Sequence, residues 1–226
     1  MGSFFKAKTD KESVKEEVGG GKYISKSGLY DINIVAPFVV TGSGEVTGVD
    51  FFIEYNGQKQ PLYGNLKLTN KDGSENFGSK VFNKLMIIAG LEDVSDPIEA
   101  ELPMGKKGAM KDAAVLEDLA DLNVTVRVQM EYSVYNGNIS EKTIIKGFYR
   151  TEDGATAEEI VNESDFGVQL EKDKPYAENV TFKDGLDAEA ISTWIAAKRP
   201  KGTANGGTAT AATKTPSFGK KKFGAK

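Results

Sequence analysis

The segment Asn123–Arg150, NVTVRVQMEYSVYNGNISEKTIIKGFYR, constrains the fold more than any other part of the chain. Val124, Val126, Val128, Met130, Tyr132 and Val134 alternate with polar residues, the period of a strand with one buried face. Asn136-Gly137 follows, the pair that a tight type I′ turn favours because both of its central residues need positive φ. A second strand then carries Lys142, Ile144, Lys146, Phe148 and Arg150 on one side. A helix cannot satisfy this pattern, so it predicts a long antiparallel hairpin.

Upstream, three further strands are expected. The first spans about Lys22 to Val40, with Tyr30, Ile32 and Ile34 on one face and Pro37 marking an edge or a bend. The second, about Val46 to Tyr55, turns Val49, Phe51, Ile53 and Tyr55 inward and leaves Phe52 outward. Asn56-Gly57 repeats the turn signal, and a third strand, Gln58 to Thr69, buries Leu62, Leu66 and Leu68 and exposes Tyr63 and Lys67. Val81, Phe82, Leu85, Ile88 and Ala89 recur at helical spacing, which predicts a helix over Phe77–Ala89 stopped by Gly90. Leu91 to Leu119 reads as a long connection with a basic cluster at Lys106, Lys107 and Lys111.

The expected fold is therefore mainly β. Three strands, a helix and two strands give the element order of a five-stranded OB-fold-like barrel with its helix between strands three and four. The chain divides into an N-terminal arm (1–21), the barrel (22–150), an acidic extension with a short helix from Leu186 to Lys198 (151–199), and a Gly/Ala/Thr linker with a disordered basic tail (200–226).

Composition narrows the chemistry. The chain holds no histidine and no cysteine, which removes disulfides, cysteine zinc sites and the side chains most used for acid–base and nucleophilic work near neutral pH. Paired carboxylates such as Glu16-Glu17, Glu92-Asp93, Glu117-Asp118 and Glu158-Glu159 follow no ligand spacing, so no metal or other cofactor is expected. Gly19-Gly20-Gly21-Lys22 lacks the spacing of a phosphate loop. No enzyme activity is expected. The N-terminus lacks an apolar signal core, and no apolar run is long enough to span a membrane.

The net charge of −4 conceals a segregation. Residues 151–190 carry twelve acidic and three basic side chains, whereas residues 191–226 carry eight basic and none acidic. An acidic total thus does not argue against a polyanionic partner. The outward residues Phe52, Tyr63, Lys67, Arg127, Tyr135, Lys142, Lys146, Phe148 and Arg150 mix rings with cations. Single-stranded nucleic acid suits that mixture, because rings stack on bases while Lys and Arg follow phosphates. Phe218, Lys220, Lys221, Lys222 and Phe223 form a second set, a tail suited to partner contacts.

The stretches SGLYDINI, GVDFFIEYNGQ, VFNKLMIIAGL and DLADLNVTVRVQMEYSVYNGNISEKTIIKGFY resemble bacteriophage single-stranded DNA-binding proteins of the OB-fold type, over about residues 22–150. The resemblance implies coating and protection of single strands during phage replication or recombination, in the cytoplasm of an infected bacterium. It also implies contacts with phage replication, recombination or transcription proteins through the C-terminus. Such proteins commonly end in an acidic tail tipped by an aromatic residue, whereas this chain ends basic, with its acid upstream. The competing expectation is a phage structural or assembly protein that uses a β-barrel to contact other chains.

Overall fold

β1, Gly28–Thr41, is the strand around which the sheet is organised. A computed structural model describes residues 23–42, 46–105 and 108–198. Along one edge β1 pairs antiparallel with β2, Thr47–Tyr55, which pairs in turn with β3, Gln58–Lys67. Its other edge has two neighbours. Gly28–Ile34 pair with a long later strand, and Phe38 and Val39 pair with a short one. Pro37 sits where the neighbour changes, just after an irregularity at Ile34/Ala36. A residue with no N–H to donate is tolerated there, and its carbonyl still accepts from the Leu116 N–H at 2.9 Å.

The helix α1 occupies Phe77–Ala89 as its periodicity predicts, begun by the Asn76 side chain accepting from the Gly78 N–H. The long connection after it holds a ribbon that periodicity does not reveal. β4, Ile98–Leu102, and β5, Lys111–Val115, pair antiparallel, and β5 attaches to β1. β6, Leu122–Tyr135, and β7, Asn138–Arg150, are the expected hairpin, with Asn136 at φ 49° and Gly137 at φ 75° in its turn.

Among the described residues the result is one eight-stranded sheet that hydrogen bonds do not close, in place of the expected five-stranded barrel. β3 and β7 nonetheless approach, with α1 packed on both. Gly64 of β3 faces Ile145 of β7 so closely that a Cβ on Gly64 would stand 2.3 Å from the Ile145 Cδ1. The main core fills the concave side, with Val49, Phe51 and Ile53 of β2, Val124, Val126 and Val128 of β6, and Val81, Leu85 and Ile88 of α1. Each fully buried side chain of this size stabilises the fold by about 1.5–3 kcal/mol.

A second, smaller cluster lies on the opposite face. Ala36, Phe38 and Phe52 are covered there by Leu102 and Val115 of the β4–β5 ribbon. The segment 151–198 after β7 is likewise folded onto the sheet. It forms α2, Ala157–Val161, α3, Val168–Asp173, a two-residue strand β8 at Thr181–Phe182 parallel to β6, and α4, Ala188–Lys198. A capping box between Thr156 and Glu159 starts α2. The buried Glu159 carboxylate also accepts from the backbone N–H groups of Gly167 and Gln169, tying α2 to α3. Burial opposes its ionisation, but these hydrogen bonds outweigh burial and hold its pKa below the ordinary value.

No helix among the described residues is long and apolar enough to cross a membrane.

Candidate nucleic-acid interface

A β-bulge decides which of the expected contact residues face solvent. In the β6–β7 ladder Arg127 pairs with Gly147 and Val128 with Ile145, so Lys146 is an extra residue on β7. The bulge reverses the facing of everything after it. Phe148 therefore turns inward, 3% exposed, with its ring 5.7 Å from Phe51 in an edge contact. The even alternation from Lys142 to Arg150 does not hold, and Phe148 is a core residue.

Phe52 also departs from expectation. It does point away from the main core, but the β4–β5 ribbon covers it and leaves 2% exposed. Neither ring is placed to stack on a base. Arg127 is on the outer face of β6, where the extension covers it. Its guanidinium meets Asp173 at 2.7 Å and donates to the Tyr176 carbonyl at 3.5 Å. Asp173 also accepts from the Tyr149 hydroxyl at 2.6 Å. Next along β6, Gln129 donates to the Asn179 carbonyl, and Glu131 pairs with Lys183 at 2.7 Å. Arg150 is committed to Asp153 through two nitrogens and lies over the Phe166 ring at 4.9 Å.

Tyr63, Lys67, Tyr135, Lys142 and Lys146 are exposed. Tyr63 and Lys67 lie on the outer side of β3, Tyr135 precedes the hairpin turn, and Lys142 is opposite Glu131 on β7. Lys111 opens β5 and is exposed. Lys106, Lys107 and the tail residues Phe218, Lys220, Lys221, Lys222 and Phe223 lie outside the described residues.

A wide groove lies elsewhere. A groove of about 1430 Å³ runs between the segment leading into β1 and the C-terminal extension. Tyr30, Tyr132, Phe182 and Trp194 line it, with Ile191 and Ile195 of α4. Tyr132 organises the rings. Phe182 stacks on it at 6.1 Å and 17°, and Trp194 meets it edge-on at 6.0 Å. Tyr30 packs edge-on against Tyr55 at 5.3 Å. Burial, aided by the charge of Glu141, pushes the Tyr132 phenol pKa up, and burial does the same for Tyr30. Both hydroxyls stay neutral at physiological pH. Lys26, Lys174, Glu141 and Glu178 are the charged residues among its walls.

Part of this groove is within reach of the sequence. Ile191, Trp194 and Ile195 share one side of a short amphipathic helix, which marks a face in need of a partner. Nothing in the sequence joins that helix to Tyr30, which is more than a hundred and fifty positions away. Tyr132 reads simply as a core-facing strand residue.

A second cleft, of about 510 Å³, lies between α1, the end of β7, α2 and α3. Its cations are Lys84, Lys146 and Lys172, and its carboxylates are Glu158, Glu159, Asp165 and Asp173. Among the described residues no group of three or more acidic side chains is arranged to hold a metal ion.

No protein-family model matches the chain, and no curated protein and no solved structure matches it either.

Proposed function

We propose that this chain is a non-catalytic single-stranded DNA-binding protein that holds its ligand chiefly by base stacking in the aromatic groove. The observation that carries this reading is the groove itself. Its Phe182 and Trp194 rings pack on Tyr132, and Tyr30 lines the same groove, in a space larger than a small-molecule pocket usually needs. Each base stacked on such a ring is worth about 1–3 kcal/mol without regard to its identity. The groove supplies the rings that Phe52 and Phe148 do not.

The arrangement of strands supports an OB-like ancestry for the sheet. β1 lies between β2 and the hairpin strand β6, β3 approaches β7, and α1 fills the open seam. On this reading the β4–β5 ribbon is an insertion between the helix and the last hairpin. The resemblance of the sequence to phage single-stranded DNA-binding proteins adds the setting, strand protection during phage DNA replication or recombination in the host cytoplasm. Tyr63, Lys67, Tyr135 and Lys142 extend the contact surface outside the groove, and the tail from Phe218 to Phe223 contacts a protein partner.

Trp194 is the one tryptophan in the chain, so it reports on the groove directly. Titration of the full chain with oligo-dT at two salt concentrations should quench its emission, with an affinity that falls as salt rises. Absence of binding at low salt overturns the reading. Duplex DNA should compete poorly, because its bases are already stacked on each other.

A further inference from the structure

The aromatic groove has a charge-balanced wall, with Lys26 and Lys174 set against Glu141 and Glu178, and Lys174 is itself paired with Glu171. Such a groove stacks bases but does little to neutralise the phosphates that link them. The cations must come from beside it. The shoulder formed by the end of α3 and the following turn separates the two concavities: Lys172 and Asp173 line the smaller cleft, and Lys174 and Pro175 line the groove. A strand leaving the groove over this shoulder enters the cleft.

The charges in the cleft are unequally available. Asp173 is held by Arg127 and Tyr149, and the carboxylate oxygens of Glu159 accept three backbone N–H groups. Arg127 thus neutralises Asp173 and backbone N–H groups orient Glu159, which leaves Glu158 and Asp165 as the exposed carboxylates beside the three lysines. Lys84, Lys146 and Lys172 arrive from three different elements, α1, β7 and α3, and none of them takes part in an ion pair among the described residues. Lys146, the extra residue at the bulge, lines this cleft.

We infer that the cleft is a phosphate-binding extension of the single-strand site, in which Lys84, Lys146 and Lys172 hold the backbone of a strand whose bases lie in the groove. This rests on the single-strand reading. It assigns binding roles to Lys84 and Lys172, which lie outside the strand faces, and it makes the extension after β7 part of the binding surface.

The test compares the full-length protein with its Lys84→Gln/Lys172→Gln variant in oligo-dT titrations over a series of salt concentrations. Removing one lysine–phosphate pairing lowers the slope of log K against log salt by about 0.7 for a single strand. For the two lysines together the slope should fall by about 1.4, and the variant should bind at least tenfold more weakly at low salt. Lys84→Arg/Lys172→Arg, which keeps the charge, should restore both. Both lysines are exposed, so folding is checked by an unchanged thermal transition. A wild-type protein that binds, with a variant of the same slope and affinity, overturns the phosphate cleft and leaves the single-strand reading standing. A wild-type protein that does not bind overturns both.

Discussion

Asp173 places its Oδ1 2.7 Å from the Arg127 guanidinium, across the seam between the outer face of β6 and the C-terminal extension. Both side chains are largely shielded from water, at 17% and 20% exposed for Arg127 and Asp173. Burial opposes ionisation of Asp173, but hydrogen bonds from Tyr149 and Gln169 and the charge of Arg127 outweigh it and hold the carboxyl pKa below its ordinary value. A carboxyl whose folded pKa lies below its unfolded one contributes stability above the unfolded value, near pH 4, and loses it as pH falls through the folded value. Asp173→Asn should therefore cost about 1–3 kcal/mol at pH 7 and show a smaller loss of stability than the wild type between pH 6 and pH 3. Chemical unfolding followed at the two pH values checks this. An identical acid response in both proteins would separate Asp173 from the seam's stability.

Phe148 makes a different kind of prediction. As a core ring packed edge-on against Phe51, its truncation to alanine should cost about 3–4 kcal/mol of folding stability. Under conditions where the variant remains folded, its affinity for oligo-dT should stay within about twofold of the wild type. Thermal unfolding and titration on the same sample distinguish this from a contact residue, whose removal would weaken binding and leave the melting temperature nearly unchanged.

The contrast between these residues shows what is legible in the sequence. The two Asn-Gly turns and the Phe77–Ala89 helix depend on neighbours in the chain, and the structure has them where the sequence puts them. The facing of Phe148 depends on one unpaired residue, Lys146, and period-two reasoning cannot see such a bulge. Phe52 does lie on the side of β2 that alternation assigns to it, but its cover is a ribbon hidden in a stretch rich in Pro and Gly. The groove needs Tyr30, Tyr132, Phe182 and Trp194 to meet across most of the chain, a tertiary fact with no local signature.

The seam between β3 and β7 carries a test of packing. A Cβ on Gly64 would stand 2.3 Å from Cδ1 and 2.6 Å from Cγ1 of Ile145, which is 1% exposed and has no room to withdraw. Gly64→Ala should destabilise the fold by about 1–3 kcal/mol through overpacking. Ile145→Val removes the Cδ1 and alone should cost about 0.5–1.5 kcal/mol. Combined, the two should cost less than their sum, because the shortened side chain vacates the space that the new methyl takes. A double-mutant cycle by urea unfolding measures the coupling, and strict additivity would mean that the seam relaxes without Ile145 moving.

Phe182 separates stacking from charge in the proposed site. Its ring is 37% exposed and stacks on Tyr132, so Phe182→Ala removes a surface for a base while leaving the buried phenol in place. The variant should lose about 1–2 kcal/mol of oligo-dT binding, roughly a five- to thirtyfold weakening. Its stability should change by less than about 1 kcal/mol, since the ring is only partly buried. Phe182→Tyr, which keeps a flat ring, should retain most of the affinity. Neither variant alters a group that meets phosphate, so the slope of log K against log salt should equal that of the wild type. A lowered affinity at constant slope therefore marks loss of a stacking ring, whereas a slope reduced along with affinity would show that Phe182→Ala had shifted the extension and its lysines as well.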